Sequence, residues 1–108
     1  MKTASEIKPN YGAVYTAALY PDLCKLFHRH GYALAVHGSL ARDLDLVAVP
    51  WAEKVSDRVF VLKELTESFT IQVTGEPEKR NHGRIAYTLS VGFGECACDL
   101  SFFPEKEM

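Results

Sequence analysis

The sequence predicts a single α/β domain of the α+β kind, with a mixed or antiparallel sheet and helices packed mainly on one face. The chain has 108 residues, which is the size of one domain. Hydrophobic residues make up 47% of it and charged residues 24%, the balance of a globular protein with a buried core. Short apolar runs of strand length follow one another closely, so hairpins should outnumber the long crossovers of a parallel sheet.

The first half of the chain is predicted to form a helical region and then two strands. Residues 1–10 are polar and indicate a loose arm. Apolar residues between Tyr11 and Phe27 have helical spacing, and Pro21 can divide this helix into two short pieces before it ends near Gly31. Residues 32–36 and 43–49 have the pattern of strands, and a tight connection joins them.

The second half is predicted to contain one helix and three strands. Apolar residues from Val55 to Phe69 recur every three or four positions, which indicates a helix with Asp57 near its start. A short β-branched run at 70–73 predicts a strand, and residues 76–84 a polar, partly basic loop. Two further strands at 84–91 and 95–103 are separated by a Gly-Phe-Gly hairpin signal at 92–94.

Charge and hydropathy exclude several classes of protein. The formal net charge of −2 argues against a protein that wraps duplex DNA with a large basic surface. No apolar run approaches the roughly 18 residues needed to cross a bilayer, and the first residues lack the apolar core of a signal peptide. Three cysteines are too few for a disulfide scaffold. We therefore expect a cytoplasmic protein without a membrane partner.

The residues most indicative of function lie between His37 and Leu46. Asp43 and Asp45 are two apart, so on a strand they share a face, and two carboxylates held together favour a cation site. Hard divalent ions such as Mg²⁺ take oxygen ligands. Gly38 lets backbone N–H groups approach an anion, and the Ser39 hydroxyl adds a donor for phosphate oxygens.

A third carboxylate, Asp99, lies within an otherwise apolar strand. An acid in that position must be paired or bind a cation. The structural alternative is an aspartate that accepts hydrogen bonds from a serine or an arginine. For Asp43 and Asp45 the alternative is an exposed strand face, and for the Gly-Ser pair an ordinary turn.

Taken together, these residues resemble the DNA polymerase β-type nucleotidyltransferase superfamily, and most of all its minimal single-domain members. The resemblance covers residues 32–103. It implies that Gly38 and Ser39 bind the phosphates of a nucleotide. It also implies that Asp43 and Asp45 bind Mg²⁺ or Mn²⁺. Asp99 would be the general base or a third metal ligand. The implied reaction moves a nucleoside monophosphate from a nucleoside triphosphate to an acceptor, with two metal ions acting on the attacking and leaving oxygens.

Two departures from this family leave an alternative open. Only three residues separate Ser39 from Asp43, whereas members of the family have a longer segment there. Either Arg42 supplies positive charge for the phosphates, or phosphate binding is lost. The chain also lacks the helical domain of larger members, which a protein partner or a second copy could supply. The alternative is a non-catalytic binding module, such as an antitoxin-like partner protein, and a weaker one is a structural cation site.

Residues 38–46 also resemble a segment of small bacteriophage and prophage proteins. The acceptor stays open between a protein hydroxyl, an RNA end and a small molecule, so nucleic acid is not excluded as a partner. For three features outside the acids we favour structural interpretations. These are a strand-end His37 bonded to its neighbours, a Trp51 that covers the core, and a solvated loop at 79–84.

Overall fold

A computed structural model describes residues 11–39, 43–90 and 97–104, with the backbone alone for residues 11–17. The elements in chain order are α1 (Tyr11–Arg29), β1 (Tyr32–His37), β2 (Leu44–Pro50), α2 (Arg58–Ser68), β3 (Gln72–Lys79), a 3₁₀ turn (Asn81–Gly83), β4 (Ile85–Ser90) and β5 (Ala97–Phe102). None of the helices in these ranges is long and apolar enough to cross a membrane.

The five strands form one mixed sheet in the order β1-β2-β5-β4-β3. β2 and β5 pair in parallel, and every other neighbouring pair is antiparallel. The last of the described strands, β5, is therefore inserted at the centre of the sheet, between β2 and β4. This confirms the predicted α+β class and brings residues from the two halves of the chain side by side.

Both helices pack on one face of the sheet, as predicted. On β2 and β5 the even-numbered side chains are buried against the helices, and the odd-numbered ones project from the opposite face. The core that forms on the helical face includes Leu26, Phe27, Leu46, Val61, Leu65 and Leu100. Among the described elements no helix covers the other face, which we call the open face.

The first helix is continuous from Tyr11 to Arg29, with Pro21 inside it. The possible division into two pieces is therefore wrong. A proline in a helix interior typically costs about 3 kcal/mol, but the segment after Pro21 buries Leu23, Leu26 and Phe27 against the sheet. Fully burying one such side chain contributes about 1.5–3 kcal/mol, so tertiary packing outweighs the local penalty.

The third strand is longer than predicted, because β3 continues to Lys79 through the segment assigned to a loop. It is an edge strand, so Pro77 has no second neighbour that needs its missing N–H. The register of β3 against β4 shifts between Thr74 and Glu78, as expected where an irregularity lets an edge strand bend. The loop is reduced to the 3₁₀ turn, closed by a hydrogen bond from Arg80 N to Arg84 O of 2.9 Å.

Several sequence predictions fall outside the residues that the structure describes. They are the loose arm at 1–10, the role of Arg42 and the hairpin at 92–94.

Candidate active site

Asp45 and Asp99 lie side by side on the open face. They are Cα partners in the parallel pairing of β2 with the central strand β5. Neighbouring strands are about 4.8 Å apart, and both side chains are half-buried. The pairing of strands distant in sequence thus brings together two acids that the sequence predicts as functional.

Asp43 lies just before β2 and joins the same cluster. Its Oδ1 accepts a hydrogen bond from Ala97 N, at the start of β5, at 3.1 Å. Asp43 is exposed, and its charge acts on Asp45. The three predicted acids therefore meet where β2 and β5 begin.

The pKa of Asp45 is raised above its ordinary value. Burial of its carboxyl group is the largest cause, followed by the negative charge of Asp99, and Asp43 adds to it. Electrostatic interactions with His37, its partner on β1, and with the Arg80 guanidinium lower the pKa of Asp45 without cancelling the rise. The site thus concentrates negative charge that a bound cation would stabilise.

Gly38 forms the turn directly above Asp45. Its φ of +78° is in the left-handed region that glycine adopts without strain, and a Cβ there would overlap Asp45 Oδ2. Glycine at this position therefore permits close contact between the turn and the acid. Ser39 follows Gly38 in the connection that leads to β2, and it is exposed. The phosphate-binding role of both residues stays a prediction.

Arg80 is the site residue that the sequence analysis missed. Its guanidinium donates to both oxygens of Asp99, with Nη1 to Oδ1 at 2.8 Å and Nη2 to Oδ2 at 2.6 Å. The sequence alternative of an aspartate bonded by an arginine is therefore present in the structure. The only sequence signal for Arg80 is its place in the basic segment 79–84, whose composition favours a solvated loop.

Arg84, from the same basic segment, also folds onto the open face. Its Nη1 donates to the hydroxyl of the fully buried Ser101 at 3.2 Å, and its guanidinium carbon lies 5.7 Å from the centre of the Phe103 ring. Arg80 and Arg84 are half-buried. The interpretation of the segment as simply solvated is wrong for these two arginines, since both pair with β5 and its end.

Trp51 does not cover the core, contrary to the sequence interpretation. Its side chain is 53% exposed and stacks on His28, with ring centres 5.1 Å apart. It follows the far end of β2 from Asp45, at a distance of about 20 Å at the usual rise per strand residue. Trp51 therefore lies away from the three acids, where it cannot stack on a nucleotide bound to them.

The donor set suits one hard divalent cation at Asp43 and Asp45. Mg²⁺ is usually held by one or two protein carboxylates, together with water and substrate phosphates. Within the described ranges, no group of three or more histidine, cysteine, aspartate or glutamate side chains is arranged to hold a metal ion. Two acids fit the ion, whereas both oxygens of Asp99 are bonded to Arg80.

Comparison with known proteins shows a likeness of fold. No protein-family model matches the chain, and no curated protein matches its sequence. One solved structure is that of the Cid1 poly(U) polymerase with Mg and 3'-dATP bound, which addresses the selectivity of that enzyme for UTP. It matches 89% of the chain with a TM-score of 0.59 and 21% sequence identity. A second Cid1 structure, concerning structural plasticity and RNA terminal uridylyl transferase activity, matches 89% with a TM-score of 0.55 and 24% identity.

The chain spans 32% of the length of each Cid1 chain. The five-stranded mixed sheet with two helices described above is accordingly a fold that occurs within the Cid1 poly(U) polymerase.

Proposed function

We propose that the protein is a metal-dependent nucleotidyltransferase. It would bind a nucleoside triphosphate with Mg²⁺ or Mn²⁺ and transfer a nucleoside monophosphate to an acceptor. The observation that carries the proposal is the meeting of Asp43, Asp45 and Asp99 near the start of the parallel strands β2 and β5. The likeness of fold to Cid1, solved with Mg and 3'-dATP bound, supports it.

Each residue of the site has a role that its position permits. Asp43 and Asp45 would hold the cation, since both belong to the negatively charged cluster around the start of β2. Gly38 and Ser39 would contact the phosphates from the turn above Asp45. Arg42 lies outside the described residues, and the sequence alone predicts that it adds positive charge for the phosphates. When bound, the cation neutralises phosphate charge and stabilises the oxygens that form and break bonds.

The reaction requires one bond to form and one to break. An acceptor hydroxyl oxygen bonds to the α-phosphorus of the triphosphate. The bond between that phosphorus and the oxygen bridging to the β-phosphorus breaks, and pyrophosphate leaves with the electron pair. The hydroxyl proton passes to a carboxylate of the site, the role for which the family resemblance suggests Asp99. The donor base and the acceptor are left for experiment to identify.

A thermal-shift titration tests this proposal. Wild type, Asp45→Asn and the control Asp22→Asn, an exposed acid on α1, are melted with Mn²⁺ or Mg²⁺ and each of the four ribonucleoside triphosphates. A ligand at about 100 times its Kd should stabilise the fold by about 2.7 kcal/mol. We expect at least one nucleotide to do so only with metal, in wild type and Asp22→Asn but not in Asp45→Asn.

The opposite results are equally informative. If no nucleotide stabilises the wild type with either metal, the proposed nucleotide site is refuted. If a nucleotide binds but the protein releases no pyrophosphate with protein, RNA and small-molecule hydroxyl acceptors, the result supports the non-catalytic binding module instead.

A further inference from the structure

Asp99 is held by an arginine rather than exposed for a metal. The two nitrogens at the end of Arg80 face the two oxygens of Asp99, at 2.8 and 2.6 Å. Paired, charge-assisted bonds of this kind are among the strongest polar contacts in proteins and are geometrically specific. The side chains are 32% and 25% exposed, so water screens the pair less than an ordinary surface pair.

The backbone and a second acid hold Arg80 in this position. Arg80 N donates to Arg84 O at 2.9 Å, which anchors its main chain at the 3₁₀ turn. Glu78 Oε2 lies 3.5 Å from Arg80 Nη2, the nitrogen that also contacts Asp99 Oδ2. Arg84, which closes the turn, is itself bonded to the buried Ser101. The guanidinium is thus presented to Asp99 by a folded segment and not by a solvated loop.

This pair changes what Asp99 can do beside a cation. Each oxygen of Asp99 gives a lone pair to Arg80. Because arginine is not deprotonated in proteins, the guanidinium also keeps a full positive charge beside Asp99 and repels a divalent ion from that carboxylate. A guanidinium has five N–H donors, and those that Asp99 does not use can donate to phosphate oxygens.

We propose that Arg80 takes the place of a second metal ion. The chain then binds a single divalent cation, at Asp43 and Asp45, and the guanidinium on Asp99 supplies the other positive charge beside the triphosphate. This inference rests on the proposed function and deepens it. Of the two roles that the family resemblance leaves to Asp99, it removes that of metal ligand.

Direct Mn²⁺ binding to the full chain tests the inference without any assay of activity. Free Mn²⁺ is followed by electron paramagnetic resonance during titration of wild type, Asp45→Asn, Arg80→Gln, and the double variant Arg80→Gln with Asp99→Asn. The double variant removes one positive and one negative charge together, so it leaves the net charge near Asp45 unchanged. Far-ultraviolet circular dichroism and thermal melts confirm that each variant is folded.

We expect one Mn²⁺ per wild-type chain and a loss of affinity of about tenfold or more in Asp45→Asn. The double variant should keep both the affinity and the single ion. Arg80→Gln alone should bind a second ion or bind Mn²⁺ more tightly, because it frees Asp99.

Three results would overturn the inference. Two Mn²⁺ ions per wild-type chain would show that Arg80 gives way to metal. A fall in affinity in the double variant as large as in Asp45→Asn would identify Asp99 as a ligand; in both cases the proposed nucleotidyltransferase would stand. If wild type binds no Mn²⁺, the metal site of the proposed function fails together with this inference.

Discussion

The substitution Gly38→Ala tests whether the turn above Asp45 is built around that carboxylate. Alanine at a left-handed φ typically costs about 1–2 kcal/mol. In addition, the new Cβ would overlap Asp45 Oδ2, and an aspartate forced off its preferred rotamer costs about 0.5–1.5 kcal/mol. We therefore expect Gly38→Ala to lower the free energy of unfolding by roughly 1.5–3.5 kcal/mol.

Gly75→Ala is a matched control for this substitution. Gly75 has a φ of +69°, close to that of Gly38, and a Cβ added there meets nothing within 4 Å. It should lose only the backbone cost of about 1–2 kcal/mol. Urea unfolding measures both losses, and Mn²⁺ titration should show weaker binding for Gly38→Ala alone.

The reasoning is refuted if both alanine variants lose the same stability and both keep wild-type Mn²⁺ affinity. A further check uses the background Asp45→Ala, which removes the overlapping oxygen. In that background, the difference in stability between the two glycine variants should largely disappear.

Three further predictions concern stability. Asp45→Asn should stabilise the fold at neutral pH. The raised pKa of Asp45 means that the folded state binds the proton more tightly than the unfolded state does. The wild type therefore loses stability as the pH rises from the unfolded pKa through the folded pKa of this group. Thermal melts from about pH 4 to about pH 7 should therefore fall less steeply for Asp45→Asn than for wild type. Leu100→Ala, at a fully buried position of the central strand, should cost about 2–5 kcal/mol by urea unfolding. Tyr20→Phe removes the 2.6 Å hydrogen bond to Leu34 O and should lower the free energy of unfolding by about 0.5–1.5 kcal/mol. Amide exchange in the edge strand β1 should become faster, and unchanged exchange would contradict a stabilising role of Tyr20 there.

The order of helices and strands could be predicted from sequence because it depends on local periodicity. The helix containing Val61 and Leu65 and the two strands carrying Asp45 and Asp99 are found where their apolar patterns place them. The errors have a different origin. Pro21 stays within a helix because the segment after it packs on the sheet. Pro77 lies within a strand because β3 is an edge strand with no second neighbour, and a local pattern contains neither fact.

The candidate site shows the same division. Asp43, Asp45 and Asp99 were predicted from their residue types and neighbours, and the parallel pairing of β2 with β5 brings them together. Arg80 has no local feature that distinguishes it from other basic residues of its segment. Its pairing with Asp99 depends on where β3 ends and how the 3₁₀ turn folds back.

The sequence by itself determined the fold class, the acids of the candidate site and the glycine of the turn above them. These follow from periodicity, and from the cost of leaving a carboxylate in an apolar strand without a partner. Only the tertiary structure decided that Arg80 is the positively charged residue that pairs with Asp99. An ion pair depends on the distance between two charged groups in the folded structure. The local sequence around Arg80 and Asp99 does not encode that distance.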